Sequence, residues 1–294
     1  MPPFHFVISK EMPMKMNFIR AGLPGLCLMA SCFCFSACSS QNGAYADSED
    51  CSAGNDTVYQ VAQLHSLIQG YYDGVITVGE LRKHGNIGLG TFQGVNGEMI
   101  VLDGTVYQAV SDGTVVLPSD SETVPFSNVT FFDEDASIEL KNIGSMAELK
   151  DSLDAFVSSH GKNLFYTVRI TGEFAYVKAR SERPQKKPYI PLDEVMARDQ
   201  IEFAFRNQRG TIVGMYFPGF MDKLNAAGWH FHFITEDRTK GGHVMDVGFD
   251  SAVAGIDVAD EFRMLMPKDG DYQKMNLEKN VDEAIRVTET GSKD

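Results

Sequence analysis

Beyond Cys51 the 294-residue chain contains no cysteine; the five present are Cys27, Cys32, Cys34, Cys38 and Cys51. The body of the protein therefore has neither a disulfide framework nor a thiolate metal site. Positive charge is also scarce. Lys and Arg number 26 against 40 Asp and Glu, a formal net charge of −14. A nucleic-acid partner demands a basic footprint, so that class is excluded. An anionic substrate must then find its positive charge locally, from a metal or a buried arginine. Long apolar runs are missing too: the best, around residues 21–38, is too short and too interrupted for a transmembrane helix. What remains is the composition of an ordinary globular protein, 43% hydrophobic and 22% charged, long enough to bury a substantial core.

The cysteine-rich N-terminus has the layout of an export signal. Lys15 and Arg20 form a basic region, Leu23 to Ala30 a short apolar one, and Ser36-Ala37-Cys38 a small-residue end. Residues 1–38 are thus expected to be a signal peptide, with Met14 and Met16 as alternative starts. Phe35-Ser36-Ala37-Cys38 fits two outcomes. One is a lipoprotein box, with Cys38 acylated and the chain held at a membrane. The other is plain cleavage near Ala37, leaving Cys38 and Cys51 to pair or stay free. Residues 39–55 are polar and aperiodic, a flexible linker.

Strand-like and turn-like stretches then alternate. Val58 to Val61 opens the folded part, and Thr77 to Arg82 is a short helical stretch. Glu98 to Leu102 and Thr105 to Val110 form a hairpin across Asp103-Gly104. Met146, Leu149, Leu153 and Phe156 recur at helical spacing, predicting an amphipathic helix over 145–159. Leu164 to Lys178 reads as a strand pair or one bent strand with a bulge at Gly172. Pro184, Pro188 and Pro191 mark a connection between halves. Strands follow at 201–206, 210–217 and 244–249, then a helix over 252–264 and a short helical piece at 281–287. The expected fold class is α+β. It comprises two related mixed halves with extensive sheet, 56–183 and 184–294, the second carrying a metal site.

Histidine supplies the chemistry. His65, His84 and His160 are isolated, and a lone histidine usually serves the surface or a cap. The other three body histidines fall in Gly228-Trp229-His230-Phe231-His232-Phe233-Ile234 and Gly241-Gly242-His243. Side chains alternate faces along a strand. Trp229, Phe231 and Phe233 share an apolar face, leaving His230 and His232 together on the other. The turn through residues 235–242 brings His243 back on the neighbouring strand. Three neutral imidazoles with open coordination positions make a catalytic Zn2+ site rather than a closed structural one.

These strings resemble the α-acetolactate decarboxylase family. The histidine motif is similar to that family's metal-binding motif. Ile68-Gln69-Gly70-Tyr71-Tyr72-Asp73-Gly74, Gly88-Leu89-Gly90-Thr91-Phe92 and Gly97 to Gly104 resemble its N-terminal signatures, and Tyr166 to Ile170 and Pro188 to Leu192 its middle. The similarity spans about residues 56 to 289. Asn86 and Val95-Asn96-Gly97 depart from the pattern, where acidic residues are more usual; both lie in turns, where Asn and Asp substitute readily. The resemblance implies a zinc-dependent homodimer converting 2-acetolactate to acetoin and carbon dioxide, on the route to 2,3-butanediol. It further implies His230, His232 and His243 as zinc ligands, with Glu98, Arg169 and Glu289 as catalytic residues. Arg169 lies opposite Val168 and Ile170 on an alternating strand, and its cation suits a carboxylate. Glu98 is a proton donor, a relay or an additional ligand.

Two other classes fit parts of the chain. His230-x-His232 followed by Glu236 has cupin-like ligand spacing, implying a β-barrel metal enzyme with Glu236 bound. A non-catalytic metal- or ligand-binding lipoprotein would use the histidines alone.

Overall fold

Turn-punctuated, alternating sequence gives a mixed α+β structure dominated by strands. The computed structural model describes residues 56–290, so the expected signal peptide, the linker and Cys38 lie outside the described residues. The strands, in chain order, are β1 (Thr57–Val61), β2 (Ile76–Thr77), β3 (Ile87–Thr91), β4 (Glu98–Leu102), β5 (Thr105–Ala109), β6 (Val115–Val116) and β7 (Thr123–Val124). They continue with β8 (Phe126–Thr130), β9 (Ala136–Ile143), β10 (Phe165–Glu182), β11 (Gln200–Phe217), β12 (Gly228–Thr235), β13 (Gly241–Ala259) and β14 (Glu261–Leu265). The helices are α1 (Leu64–Ile68), α2 (Val78–Leu81), α3 (Met146–His160), α4 (Leu192–Asp199) and α5 (Asp282–Thr290).

Two main sheets result. The first has seven strands in the order β14-β1-β8-β3-β4-β5-β6, and the second five in the order β10-β11-β12-β13-β9. Strand β10 also pairs with β13, so β10 to β13 close on themselves. The β4–β5 hairpin turns on Asp103-Gly104 as expected. Both residues have positive φ (51° and 75°), the two-residue turn whose twist matches its strands.

Helix α3 forms where the apolar spacing predicts. The Ser145 side chain caps the Glu148 amide, while the Glu148 carboxylate reaches back to the Gly144 amide at 2.7 Å. Its Leu149, Leu153 and Phe156 pack with Phe174, Phe231, Phe233, Phe249 and Ile256 of the second sheet. Each such side chain contributes about 1.5–3 kcal/mol on burial. Trp229 donates its indole N–H to Asp154 at 2.9 Å, fastening β12 to the helix. On the opposite face of the second sheet, Val213 and Ile234 meet Ile87, Ile100 and Leu102 of the first.

Several expectations are corrected. Residues 252–264 are not helical; they are the end of β13 and β14, where Ala252, Ala254 and Ile256 are buried and Val253 is exposed, a period of two. The strands expected at 201–206 and 210–217 are one continuous β11, while of the two readings of 164–178 the single strand holds, as β10. The register shift on β10 falls between Lys178 and Ala179 rather than at Gly172. The prolines do not separate two sheets, because β10 before them pairs with β11 after them. The sheets part instead between β8 and β9, with β14 returning to the first.

Candidate metal centre and its chamber

The alternation in Trp229 to Ile234 puts His230 and His232 on one face of β12, and pairing puts His243 of β13 directly opposite His232. His230 Nε2 lies 3.1 Å from His232 Nε2 and 2.9 Å from His243 Nδ1. One nitrogen from each ring falls within 4.8 Å of the others, the only such metal-competent group among the described residues. Tetrahedral coordination at about 2.0–2.1 Å would set such nitrogens about 3.3 Å apart, so the donor set fits a metal ion. Two of the rings are also held in the neutral form that a metal needs. Burial pushes the His230 pKa down to about 3 and holds His232 well below the ordinary histidine range. His232 Nδ1 donates to the Met99 carbonyl at 2.7 Å, which leaves the Nε2 lone pair facing the cluster.

Glycine sets two of these positions. Gly97, at φ +77°, would bring a Cβ within 2.4 Å of the Ala109 carbonyl, so only glycine lets β4 begin at Glu98 against β5. Gly242 passes so close to β10 that a Cβ there would lie 2.7 Å from the Arg180 carbonyl. That approach pairs His243 with Arg180 across β13 and β10.

Three buried charged groups surround the histidines: Glu98, Arg180 and Glu182. The Glu98 carboxylate lies 3.4 Å from His232 Nε2 and hydrogen-bonds Glu182. Two carboxyl groups bond one another only if they share a proton. Burial pushes the Glu182 carboxyl up to about 7, partly offset by the Arg180 guanidinium and the bond to Glu98. Arg180 Nη1 donates to Gln200 Oε1 at 2.8 Å and to Met196 Sδ at 3.2 Å; its Nε is buried without a partner.

Above this polar floor lies a chamber open to solvent, with about 430 Å³ of space between atoms when its mouth is included. Its roof is apolar: Leu64 and Leu67 of α1, Val95, Phe126, and Leu192 and Met196 of α4. Thr91 and Thr288 add hydroxyls, the latter brought by α5 and lacking a hydrogen-bond partner. The lining thus suits a small molecule with one anionic group and short alkyl substituents.

The structure brings His230, His232, His243 and Glu98 together as the sequence implied. It does not bring Arg169 there. That side chain is 38% exposed, pairs with Asp103 at 3.2 Å and lies over the Phe132 ring. Val213 separates it in register from His232. Glu289 is on the last turn of α5, one residue past Thr288, and its side chain lies outside the described residues. Glu236 is at the surface with Arg209 at 3.1 Å, so the cupin-like ligand spacing is not realised. The isolated histidines serve packing: His65 Nε2 lies 2.6 Å from the Lys279 carbonyl, His84 stacks on Tyr59, and His160 stacks on Phe156.

Arg180 and Glu182 were missed by the sequence reading. The signal was there, because polar Lys178, Arg180 and Glu182 alternate with Val177, Ala179 and Ser181. Ending the strand at Lys178 cut it off.

Comparison with known proteins follows the same residues. A family model described as alpha-acetolactate decarboxylase matches residues 58–279. An alpha-acetolactate decarboxylase of Methanosarcina mazei is 40% identical over 235 residues, covering 80% of this chain and 81% of that protein. The Bacillus subtilis enzyme of the same description is 35% identical over 221 residues, covering 75% and 86%. A crystal structure of alpha-acetolactate decarboxylase from Bacillus subtilis superposes with a TM-score of 0.76 at 34% identity, covering 79% of this chain and 99% of that one.

Proposed function

Since the chain belongs to the alpha-acetolactate decarboxylase family, we propose that it decarboxylates 2-acetolactate to acetoin and carbon dioxide and that His230, His232 and His243 would hold a zinc ion in the site. The enzyme is an acetolactate decarboxylase, a carboxy-lyase acting in acetoin biosynthesis. The observation that carries the metal is the convergence of three imidazoles, two of them buried and one oriented by the Met99 carbonyl. Zinc is the metal best matched to three nitrogen ligands with open positions, and when bound it polarises oxygens as a Lewis acid.

The protein's own groups divide the remaining work. 2-Acetolactate is a β-keto acid, so electrons left when the carboxylate departs flow towards the ketone oxygen. Arg180 is the buried cation of the chamber, and its guanidinium grips the carboxylate and aims the breaking bond. After carbon dioxide leaves, the carbon that carried it needs a proton. The Glu98–Glu182 pair holds one beside the histidines, and Glu98 is the nearer donor. Glu289 supplies a further carboxylate from α5, an assignment supported by the family resemblance. The apolar roof receives the two methyl groups and keeps water away from the reacting carbon.

Two parts of the reading rest on sequence alone. The basic, apolar and small-residue stretches up to Cys38 support export, with Cys38 either acylated or lost with the signal. The family resemblance supports a homodimer.

The test is acetoin release from racemic 2-acetolactate by the purified protein as isolated, after chelation, and after zinc is restored. Turnover that vanishes with the metal and returns with zinc is expected. A folded, zinc-loaded protein without turnover would leave a binding protein.

A further inference from the structure

Arg180 can grip a carboxylate only if its planar fork is held at a fixed angle, and its anchor lies outside the chamber. We propose that Gln200 is a positioning residue for Arg180, and that the Lys178–Glu202 ion pair sets the orientation of Gln200. The proposal rests on Arg180 binding the substrate carboxylate.

A guanidinium has five N–H donors in a rigid plane. Gln200 Oε1 takes a donor from Nη1 at 2.8 Å, with Met196 Sδ beside the same nitrogen at 3.2 Å. Fixing one corner of a planar group at two points leaves it little rotation. An amide can present either its oxygen or its NH2, and only the oxygen can hold a guanidinium. The choice is made on the far side. Gln200 Nε2 donates to Glu202 Oε1 at 3.2 Å, which turns Oε1 towards Arg180. Glu202 is in turn fixed by Lys178 Nζ, 2.7 Å from its other oxygen. The β10–β11 pairing puts Arg180 opposite Glu202 and Glu182 opposite Gln200, so the four polar groups form a diagonal line from solvent to the chamber. Helix α4 ends at Asp199 and runs directly into Gln200, so the helix that carries Met196 also sets where the amide begins.

The experiment compares inhibition of the zinc-loaded enzyme by 2-hydroxyisobutyrate, a carboxylate of substrate size, and by the neutral product acetoin. Gln200→Leu removes the acceptor at similar volume. It is expected to weaken 2-hydroxyisobutyrate about tenfold, the size of one hydrogen bond to a charged group. KM should rise in step and kcat fall, because Arg180 also aims the breaking bond, with acetoin inhibition little changed. Glu202→Leu, at the exposed end of the line, is expected to give the same pattern at about two- to threefold. It keeps the test open if Gln200→Leu fails to fold. A purely structural role would lower the melting temperature without separating the two inhibitors, and that outcome overturns the proposal. Arg180→Gln separates the two levels. If it abolishes the preference for the carboxylate while Gln200→Leu and Glu202→Leu leave it intact, positioning by Gln200 is refuted and the role of Arg180 stands. If Arg180→Gln also leaves the preference intact, carboxylate binding by Arg180 fails and the Gln200 proposal falls with it.

Discussion

Replacing Asp257 by asparagine should change how stability depends on pH, and the size of the effect follows from its surroundings. Asp257 lies on β13 and is 1% exposed. Burial pushes its carboxyl up from an ordinary 3.8 to about 8, and the neighbouring Asp135, Asp56 and Asp133 push in the same direction. The backbone amide of Asp133 offsets this only in part. With the folded pKa above the unfolded one, the folded state keeps a proton that the unfolded chain releases between about pH 4 and pH 8. Stability from this residue is therefore complete below that window, falls as pH rises through it, and is flat above. A shift of about four units, at about 1.4 kcal/mol each, is of the order of 5 kcal/mol across the window. That is a large part of the typical 5–15 kcal/mol total. Asp257→Asn keeps the shape and removes the titration. Urea unfolding of both zinc-loaded proteins at pH 5, 6.5 and 8 should show the variant gaining on the wild type by about 1.4 kcal/mol per pH unit. A difference between the two that stays constant from pH 5 to pH 8 would refute the buried, protonated carboxyl. Because the comparison is between two proteins with the same histidines, any pH dependence of metal binding cancels.

Glu98→Gln should keep its metal, measured by elemental analysis, yet lose at least about a hundredfold in kcat, the range of one general acid; full turnover removes Glu98 from the mechanism. Arg169→Ala, at a half-exposed ion pair worth about 0–1 kcal/mol, should leave kcat/KM within about twofold. A large loss there would return Arg169 to the site. Leu153→Ala, in the core beneath α3, should cost about 2–5 kcal/mol in urea unfolding without altering KM, and a smaller cost would mean the helix packs loosely.

What could be read in the sequence was whatever a local period or a short turn encodes. Asp103-Gly104 specifies its hairpin, Met146 to Phe156 a helical stripe, and Trp229 to Phe233 a strand with both histidines on one side. What could not be read depends on distant partners. Residues 252–264 are rich in small side chains that suit either a helix or a strand, and pairing with β9 and β10, then with β1, decides for strand. The position of Arg180 over the histidines was hidden for a related reason. Along β10 the core residues are Val168, Ile170 and Phe174, then Val177 and Ala179, so the inward parity changes near Ala175, which is skipped in the pairing with both neighbours. Alternation counted from Val168 therefore loses its meaning before it reaches Arg180. Which arginine stands over the histidines depends on the closeness of β13 to β10 at Gly242, a contact between segments more than sixty residues apart.

The parallel pairing of β1 with β14 dictates an order of events. Thr57 to Val61 find one of their two neighbours only when Glu261 to Leu265 have been made. Closing a loop of some two hundred residues is slow, and until it closes one side of β1 offers unpaired backbone to any passing strand. The groups of the chamber come from Glu98, Arg180, His230, His243 and Thr288, so the reaction centre too is assembled from both ends of the chain. A nascent chain therefore has no complete chamber until Thr288 is made, although its three histidines come earlier. A chain cut short before Glu261 would be left with a sticky first strand and a chamber lacking Thr288, a species destined for proteolysis or aggregation rather than for reduced activity.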